Sequence, residues 1–256
     1  MQKLYRININ HFEDPLKNER LLDLVGIRRR EKVIRYRMPD DRKRSLGAGI
    51  IIRKILDENG LTESCLRYSD NEKPVVDGLF FNVSHAGDYV VGVLSDCEVG
   101  CDIEKNANAP LEVAEHYFYH SELAYIKAAK NKDKAFFTLW TLKESYMKMT
   151  GRGMGLPLDS FEVVPTADGF VLGKSSERPC FFETMEFDGY IFAVSSERAF
   201  SLHNPLKIVF DDIYVCSQRI FQTHSRVPIR QESVYVKYCF CCTGELRKAS
   251  EQVNQV

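Results

Sequence analysis

Val99-Gly100-Cys101-Asp102-Ile103-Glu104-Lys105 reads as a β-strand that ends in acid. Residues two apart on a strand share a face, so Asp102 and Glu104 project together while Ile103 points into the core. Carboxylates held that close raise each other's pKa unless a hard cation lies between them, and magnesium is the usual one where phosphates are handled. A solvated strand end has the same pattern, and these two residues alone do not separate the readings. Upstream, Gly78-Leu79-Phe80-Phe81-Asn82-Val83 and Tyr89-Val90-Val91-Gly92-Val93-Leu94 are short apolar runs separated by Gly, Asp and Ser, which predicts strands joined by turns. Residues from Asn18 to Gly60 read as helices interrupted at Met38-Pro39-Asp40-Asp41, where Pro39 and the aspartates favour a stop and a fresh N-cap. The opening Met1 to Phe12 alternates apolar and polar residues like a strand. Together these make a helices-then-sheet half, residues 1–105.

The pattern then recurs. Helical stretches from Leu111 to Lys130 and from Lys134 to Thr150 close at Gly151, and strand-like runs follow at residues 160–164, 180–182 and 190–194. Sliding the chain by 91 residues pairs Glu31 with Glu122, Lys43 with Lys134 and Gly60 with Gly151. The expected fold class is α+β: two similar α+β halves, 1–105 and 106–200, related by a pseudo-two-fold, with the ligand site in the cleft between them. Residues 201–256 fit neither half and read as a C-terminal extension whose polar end, Arg247 to Val256, is a frayed terminus.

Composition narrows the partners. The 256 residues are 44% hydrophobic, enough for an ordinary core, and 35 Lys and Arg nearly balance 36 Asp and Glu. Nothing global therefore argues for nucleic acid or an anionic membrane, and any anion site must be local. The start lacks the apolar core of a signal peptide and no run reaches transmembrane length, so a cytoplasmic protein is expected. Cys65, Cys97, Cys101 and Cys180 lie scattered in apolar segments, the usage of reduced, buried cysteines. Cys239, Cys241 and Cys242 are too tightly spaced for a paired zinc site and have no histidine at ligand spacing.

Three further constellations carry chemistry. In Phe136 to Gly153, helical spacing puts Phe136, Trp140 and Met147 on one apolar stripe and Glu144 and Lys148 one turn apart on its flank, a pair equally at home on an ordinary surface. Lys143 falls near the middle of the stripe, where it must snorkel or meet a buried anion. In Phe81-Asn82-Val83-Ser84-His85-Ala86-Gly87-Asp88, Ser84 and His85 lie where a strand gives way to a turn; side chains that point apart and lack a GxSxG elbow fit ligand binding or a capped turn, not nucleophile and base. Arg28, Arg29, Arg30, Lys32, Arg35, Arg37, Arg42, Lys43, Arg44 and Lys73 enrich the first third in positive charge, enough for a site that takes several phosphates, although most such residues are solvated helix faces.

Taken together, Phe81-Asn82-Val83-Ser84-His85, Gly100-Cys101-Asp102-Ile103-Glu104 and Trp140-Thr141-Leu142-Lys143-Glu144-Ser145-Tyr146-Met147-Lys148, in this order and spacing, resemble the signature of the phosphopantetheinyl transferases, surfactin-synthetase-activating type. Arg44 before a small-residue helix and Glu72-Lys73-Pro74 add to the resemblance, which runs from about Arg28 to Val194. It implies transfer of the 4'-phosphopantetheine arm of coenzyme A to a serine of an apo acyl or peptidyl carrier protein, with release of adenosine 3',5'-bisphosphate. It also implies magnesium held by Asp102, Glu104 and Glu144, with Glu144 and Lys148 as the catalytic pair. Glu144 then acts as base, directly or through water, and Lys148 contacts the pyrophosphate. Arg44, Lys73, Ser84 and His85, with Asp102 and Lys148, match coenzyme A-binding positions, and Glu122 matches an acidic residue near the family's site. Attack on a phosphoanhydride needs charge neutralisation and in-line positioning, which a metal and a lysine supply. The family's short members build their site between subunits; two halves in one chain imply a monomer. One departure is Glu72, where a glycine commonly precedes the lysine. The rival readings are a non-catalytic coenzyme A or carrier-protein binding module and a magnesium-dependent hydrolase of a nucleotide or pyrophosphate.

Overall fold

A computed structural model describes residues 2–69, 71–174 and 178–202 and the backbone of 207–208. The expected extension is thus described only at its start, and Cys239, Cys241 and Cys242 lie outside the described residues. The described chain runs β1 (Lys3–Asn8), α1 (Ile27–Arg35), α2 (Pro39–Glu58), β2 (Arg67–Tyr68), β3 (Pro74–Val75), β4 (Phe80–Ala86), β5 (Tyr89–Ser95) and β6 (Val99–Lys105). It continues through α3 (Leu111–Tyr117), α4 (His120–Ala128), α5 (Lys132–Thr150), β7 (Val163–Thr166), β8 (Gly169–Leu172), β9 (Phe181–Phe187), β10 (Tyr190–Ser196) and β11 (Lys207–Ile208). The fold is α+β, with one sheet ordered β11-β1-β5-β4 and a second ordered β6-β10-β9-β8-β7.

Expected as the last strand of the first half, β6 is hydrogen-bonded into the second sheet instead, antiparallel to β10 with Asp102 opposite Ala193. Antiparallel β1-β5-β4 in one sheet answers β6-β10-β9 in the other, with α2 following β1 and α5 following β6. Strands β4 and β5 begin at 80 and 89, and β9 and β10 at 181 and 190, an offset of 101, whereas α2 and α5 begin at 39 and 132, an offset of 93. No constant slide fits, because the connection from helix to hairpin, through β2 and β3 in the first half and through β7 and β8 in the second, is longer in the second.

Strand β5 is buried on both faces, as its unbroken Val-rich run requires. Tyr89, Val91 and Val93 pack with Val99, Cys101 and Ile103 of β6 and with Tyr190, Phe192 and Val194 of β10, forming the core between the sheets. On the other face Val90 and Gly92 lie against α2, where the Gly92 Cα is close to Ile51. The two sheets also trade hydrogen bonds at their hairpins. The Tyr190 hydroxyl of β10 accepts from the Asp88 amide in the β4–β5 turn at 2.9 Å, and the Tyr89 hydroxyl of β5 donates to Asp188 in the β9–β10 turn at 2.6 Å. Each hairpin is thereby tied by the first residue of the other sheet's equivalent strand. Among the described residues no helix is long and apolar enough to cross a membrane. All four described cysteines are free; Cys97 and Cys101 are buried as expected, Cys180 is half-buried, and Cys65 is exposed because it sits on the one-turn helix Glu63–Cys65 at the surface.

Candidate active site

The edge strands β4 and β6 meet where the sheets adjoin: Asn82 Oδ1 accepts from the Cys101 amide at 3.0 Å, and one step along each strand Ser84 faces Asp102. Gly100 opens the same face of β6 to α5. A Cβ there would lie 2.1 Å from Ser145 O and 2.3 Å from Met149 N, so only glycine lets the helix come this close. The close approach delivers Lys148. Its ammonium lies 2.5 Å from Asp102 Oδ1 and donates to Ser84 Oγ at 3.0 Å, while Ser84 donates to the same Oδ1 at 2.7 Å. Lys148 thus crosses to β6, not back to Glu144 as on an ordinary helix flank. Ser84 is buried by this network; His85, its neighbour on the strand, points the other way and is exposed.

Asp102 is 4% exposed, and its second oxygen, Oδ2, is buried with no hydrogen-bond partner. Such an atom marks a site built for something else, because leaving it unpaired costs roughly 1–3 kcal/mol. Glu104 and Glu144 are half-buried beside it. Burial, then the charge of Asp102 and more weakly that of Glu144, pushes Glu104 up to about 7, against the pull of Lys148 and a hydrogen bond from the Trp140 indole. Burial and Asp102 also raise Glu144. On Lys148 burial works against the charge, but Asp102 outweighs it and the pKa rises. Carboxylates that raise one another are the condition a hard cation relieves, and an all-oxygen donor set suits magnesium. Among the described residues no three acids, histidines or cysteines form a ready-made metal cage. Here the ammonium of Lys148 neutralises Asp102.

The remaining expected residues divide. Lys73 Nζ donates to Lys148 O at 2.9 Å, which ties the Glu72-Lys73-Pro74 loop to the end of α5, and Asn71 Nδ2 donates to Gly151 O at 3.1 Å alongside it. Glu72 adopts φ +57°, the left-handed conformation that a glycine would take without strain, and its carboxylate grips Arg28 at 2.9 and 3.1 Å. Arg44 donates to Gly87 O at 2.8 Å and to Asp41 at 2.6 Å. Arg28 and Arg29 line a cavity of about 490 Å³ with Arg67, Tyr68 and Glu63. Burial and then Arg29 lower the pKa of Lys32, against the pull of Glu72. Arg42 is structural: it clasps Asp14 and donates to Tyr36 O and Arg37 O.

Glu122 is not brought to the carboxylates. It is wholly buried against Lys143 at 2.8 Å and accepts from the Val163 and Tyr119 amides, so it is the buried anion that Lys143 demands. The sequence reading missed Trp140, taken there as core. It lies one turn before Glu144, the only spacing that could have tied its indole to the acids.

The 4'-phosphopantetheinyl transferase superfamily model matches residues 98–195, which hold Asp102, Glu104, Glu144 and Lys148. Two Bacillus subtilis proteins, the 4'-phosphopantetheinyl transferases ffp and Sfp (strain 168), are each 35% identical, over 77% and 75% of this chain. The psf-1 enzyme of Bacillus pumilus is 32% identical over 77% of this chain and 90% of its own length. With 92% and 91% of the two Bacillus subtilis relatives covered at that identity, the chain belongs to the 4'-phosphopantetheinyl transferase superfamily.

Proposed function

We propose that this protein transfers the 4'-phosphopantetheine arm of coenzyme A to a serine of an apo acyl or peptidyl carrier protein and releases adenosine 3',5'-bisphosphate. The observation that carries it is the Ser84–Asp102–Lys148 network at the junction of the sheets, with Glu104 and Glu144 beside an Asp102 oxygen that has no partner. Asp102, Glu104 and Glu144 would hold magnesium, which when bound supplies neutralisation of phosphate charge. Lys148, held at Asp102 and Ser84, meets the pyrophosphate at the same place. Glu144, one turn before it, takes the serine proton as the serine oxygen–phosphorus bond forms. The phosphorus–oxygen bond of the pyrophosphate bridge breaks, and the departing phosphate carries the negative charge away toward Lys148. Arg44, His85 and Lys73 hold the adenosine bisphosphate end. Desolvation, and then the cations Lys148, Arg44 and Arg29, lower the His85 pKa against the opposing effect of a backbone hydrogen bond.

One chain supplies Ser84 from the first sheet, Asp102 from the second and Lys148 from α5, so we read the protein as a monomer, and we place it in the cytoplasm. We divide its halves between β5 and β6. The reading is tested by incubating the protein with magnesium, coenzyme A and a panel of apo carriers and weighing each carrier. Addition of the phosphopantetheine mass to at least one carrier is expected, and its loss in Asp102→Asn. Release of adenosine bisphosphate without any carrier gaining mass would replace transfer with hydrolysis, and binding without either product would leave a binding module.

A further inference from the structure

We propose that Tyr190, on the strand of the second sheet remote in sequence from every coenzyme A contact, is a positioning residue for Arg44; this rests on the reading of Arg44 as a coenzyme A ligand. Arg44 is held on one side by Asp41, three residues earlier on its own helix. On the other side, among the described residues, it is held by a backbone carbonyl alone, Gly87 O at 2.8 Å, at the tip of the β4–β5 hairpin. A turn tip is the most yielding part of a hairpin, so the carbonyl is only as well placed as the turn. Two contacts fix that turn. The Asp88 carbonyl accepts from the Ile9 amide at 2.8 Å, and the Tyr190 hydroxyl accepts from the Asp88 amide at 2.9 Å while donating to the Asp88 carboxylate at 3.3 Å.

The fit is tight. Gly87 has φ +49°, and a Cβ on it would lie 2.2 Å from the Tyr190 hydroxyl, so turn and phenol are in direct contact. Tyr190 itself cannot drift: it is 2% exposed and its ring packs edge-on against Tyr89 at 5.0 Å. The second sheet therefore sets the position of a guanidinium on the first through one hydroxyl and one turn. His85, two residues before Gly87 on the same hairpin, is placed by the same turn.

The molecule contains its own control. Tyr89 makes the matching bond to the other hairpin, at Asp188, and that turn holds no residue assigned to coenzyme A. Tyr89→Phe and Tyr190→Phe each remove one hydroxyl that ties a hairpin turn to the opposite sheet, and only Tyr190→Phe should disturb the ligand. The experiment measures coenzyme A binding by calorimetry and transfer kinetics for wild type, both variants, Arg44→Ala and Arg44→Ala/Tyr190→Phe. For Tyr190→Phe the dissociation constant and the KM for coenzyme A should rise roughly three- to tenfold, the effect of one misplaced hydrogen bond, with kcat unchanged. Tyr89→Phe should bind as wild type does. The double variant should bind no more weakly than Arg44→Ala, because Tyr190 acts through Arg44. A Tyr190→Phe constant equal to wild type, equal shifts in both tyrosine variants, or additive losses in the double variant would each overturn the inference alone. A wild-type chain that binds no coenzyme A would overturn the functional reading as well.

Discussion

Replacing Gly100 with alanine asks whether the site depends on how closely α5 lies on β6. The added Cβ would sit 2.1 Å from Ser145 O, 2.3 Å from Met149 N and 2.9 Å from the carbonyl carbon of Lys148. All three are backbone atoms, so no rotamer can relieve the contact, and the helix must withdraw by roughly 1 Å to restore ordinary van der Waals separation. Overpacking of this kind costs about 1–3 kcal/mol, and the rigid helix backbone puts this case at the upper end. Withdrawal also pulls Lys148 from Asp102, now 2.5 Å away, and leaves a buried carboxylate and an ammonium each short of a partner. The expected outcome is a loss of about 3 kcal/mol in urea unfolding together with loss of carrier modification in the protein that remains folded. Gly155→Ala is the reference: nothing lies within 4 Å of its Cβ, and stability should stay within roughly 0.5 kcal/mol. A Gly100→Ala protein as stable and active as Gly155→Ala would refute the claim that close helix–strand packing builds the site.

Glu72→Gly should be more stable than Glu72→Ala by about 1 kcal/mol in thermal unfolding, because both lose the exposed Arg28 pair and only glycine relieves φ +57°; equal stabilities would show that the loop is unstrained. Lys143→Met leaves Glu122 charged and wholly buried, so about 3–5 kcal/mol of unfolding free energy should be lost, and Lys143→Met/Glu122→Gln should recover part of it; a loss under roughly 1 kcal/mol would mean the pair is dispensable. The hydrogen bond from Arg42, against the opposing effect of burial, lowers Asp14 from 3.8 to about 2. The folded pKa is depressed, so the unfolded chain binds the proton first. This stabilisation is complete above about pH 4 and is lost as pH falls from there toward 2. Unfolding curves across that window should flatten in Asp14→Asn, and an unchanged slope would remove Asp14 from the acid response.

Elements with strong local punctuation were legible in the sequence. Pro39 does open α2, and Gly151, at φ +74°, does close α5. The period-two face shared by Asp102 and Glu104 is also there. The stretch from Leu111 to Lys130, read as one helical run, is two helices, because the Glu122 carboxylate turns back to the Tyr119 amide and starts α4 afresh. Residues 169–172, too short and too exposed to stand out, form β8. What could not be read was pairing at a distance. Nothing near Lys148 says that its partner lies 46 residues away on a strand, and nothing near Glu122 says that a lysine from the next helix will occupy it. The assignment of β6 to the first half failed for the same reason, since a strand's run of residues does not disclose which sheet will accept its hydrogen bonds.

The crossed tyrosines have a consequence for how the molecule comes apart. Each hairpin turn is held by a hydroxyl that belongs to the opposite sheet, and the apolar face of β5 is covered by β6 and β10. A sheet separated from its counterpart loses the tether on its own turn at the same moment that it exposes the face beneath. Each sheet keeps the helix packed on its outer face, but the shared inner core and both turn tethers are lost together, so melting of one should carry the other with it in a single cooperative transition. Each sheet is in this sense a structural prerequisite of the other.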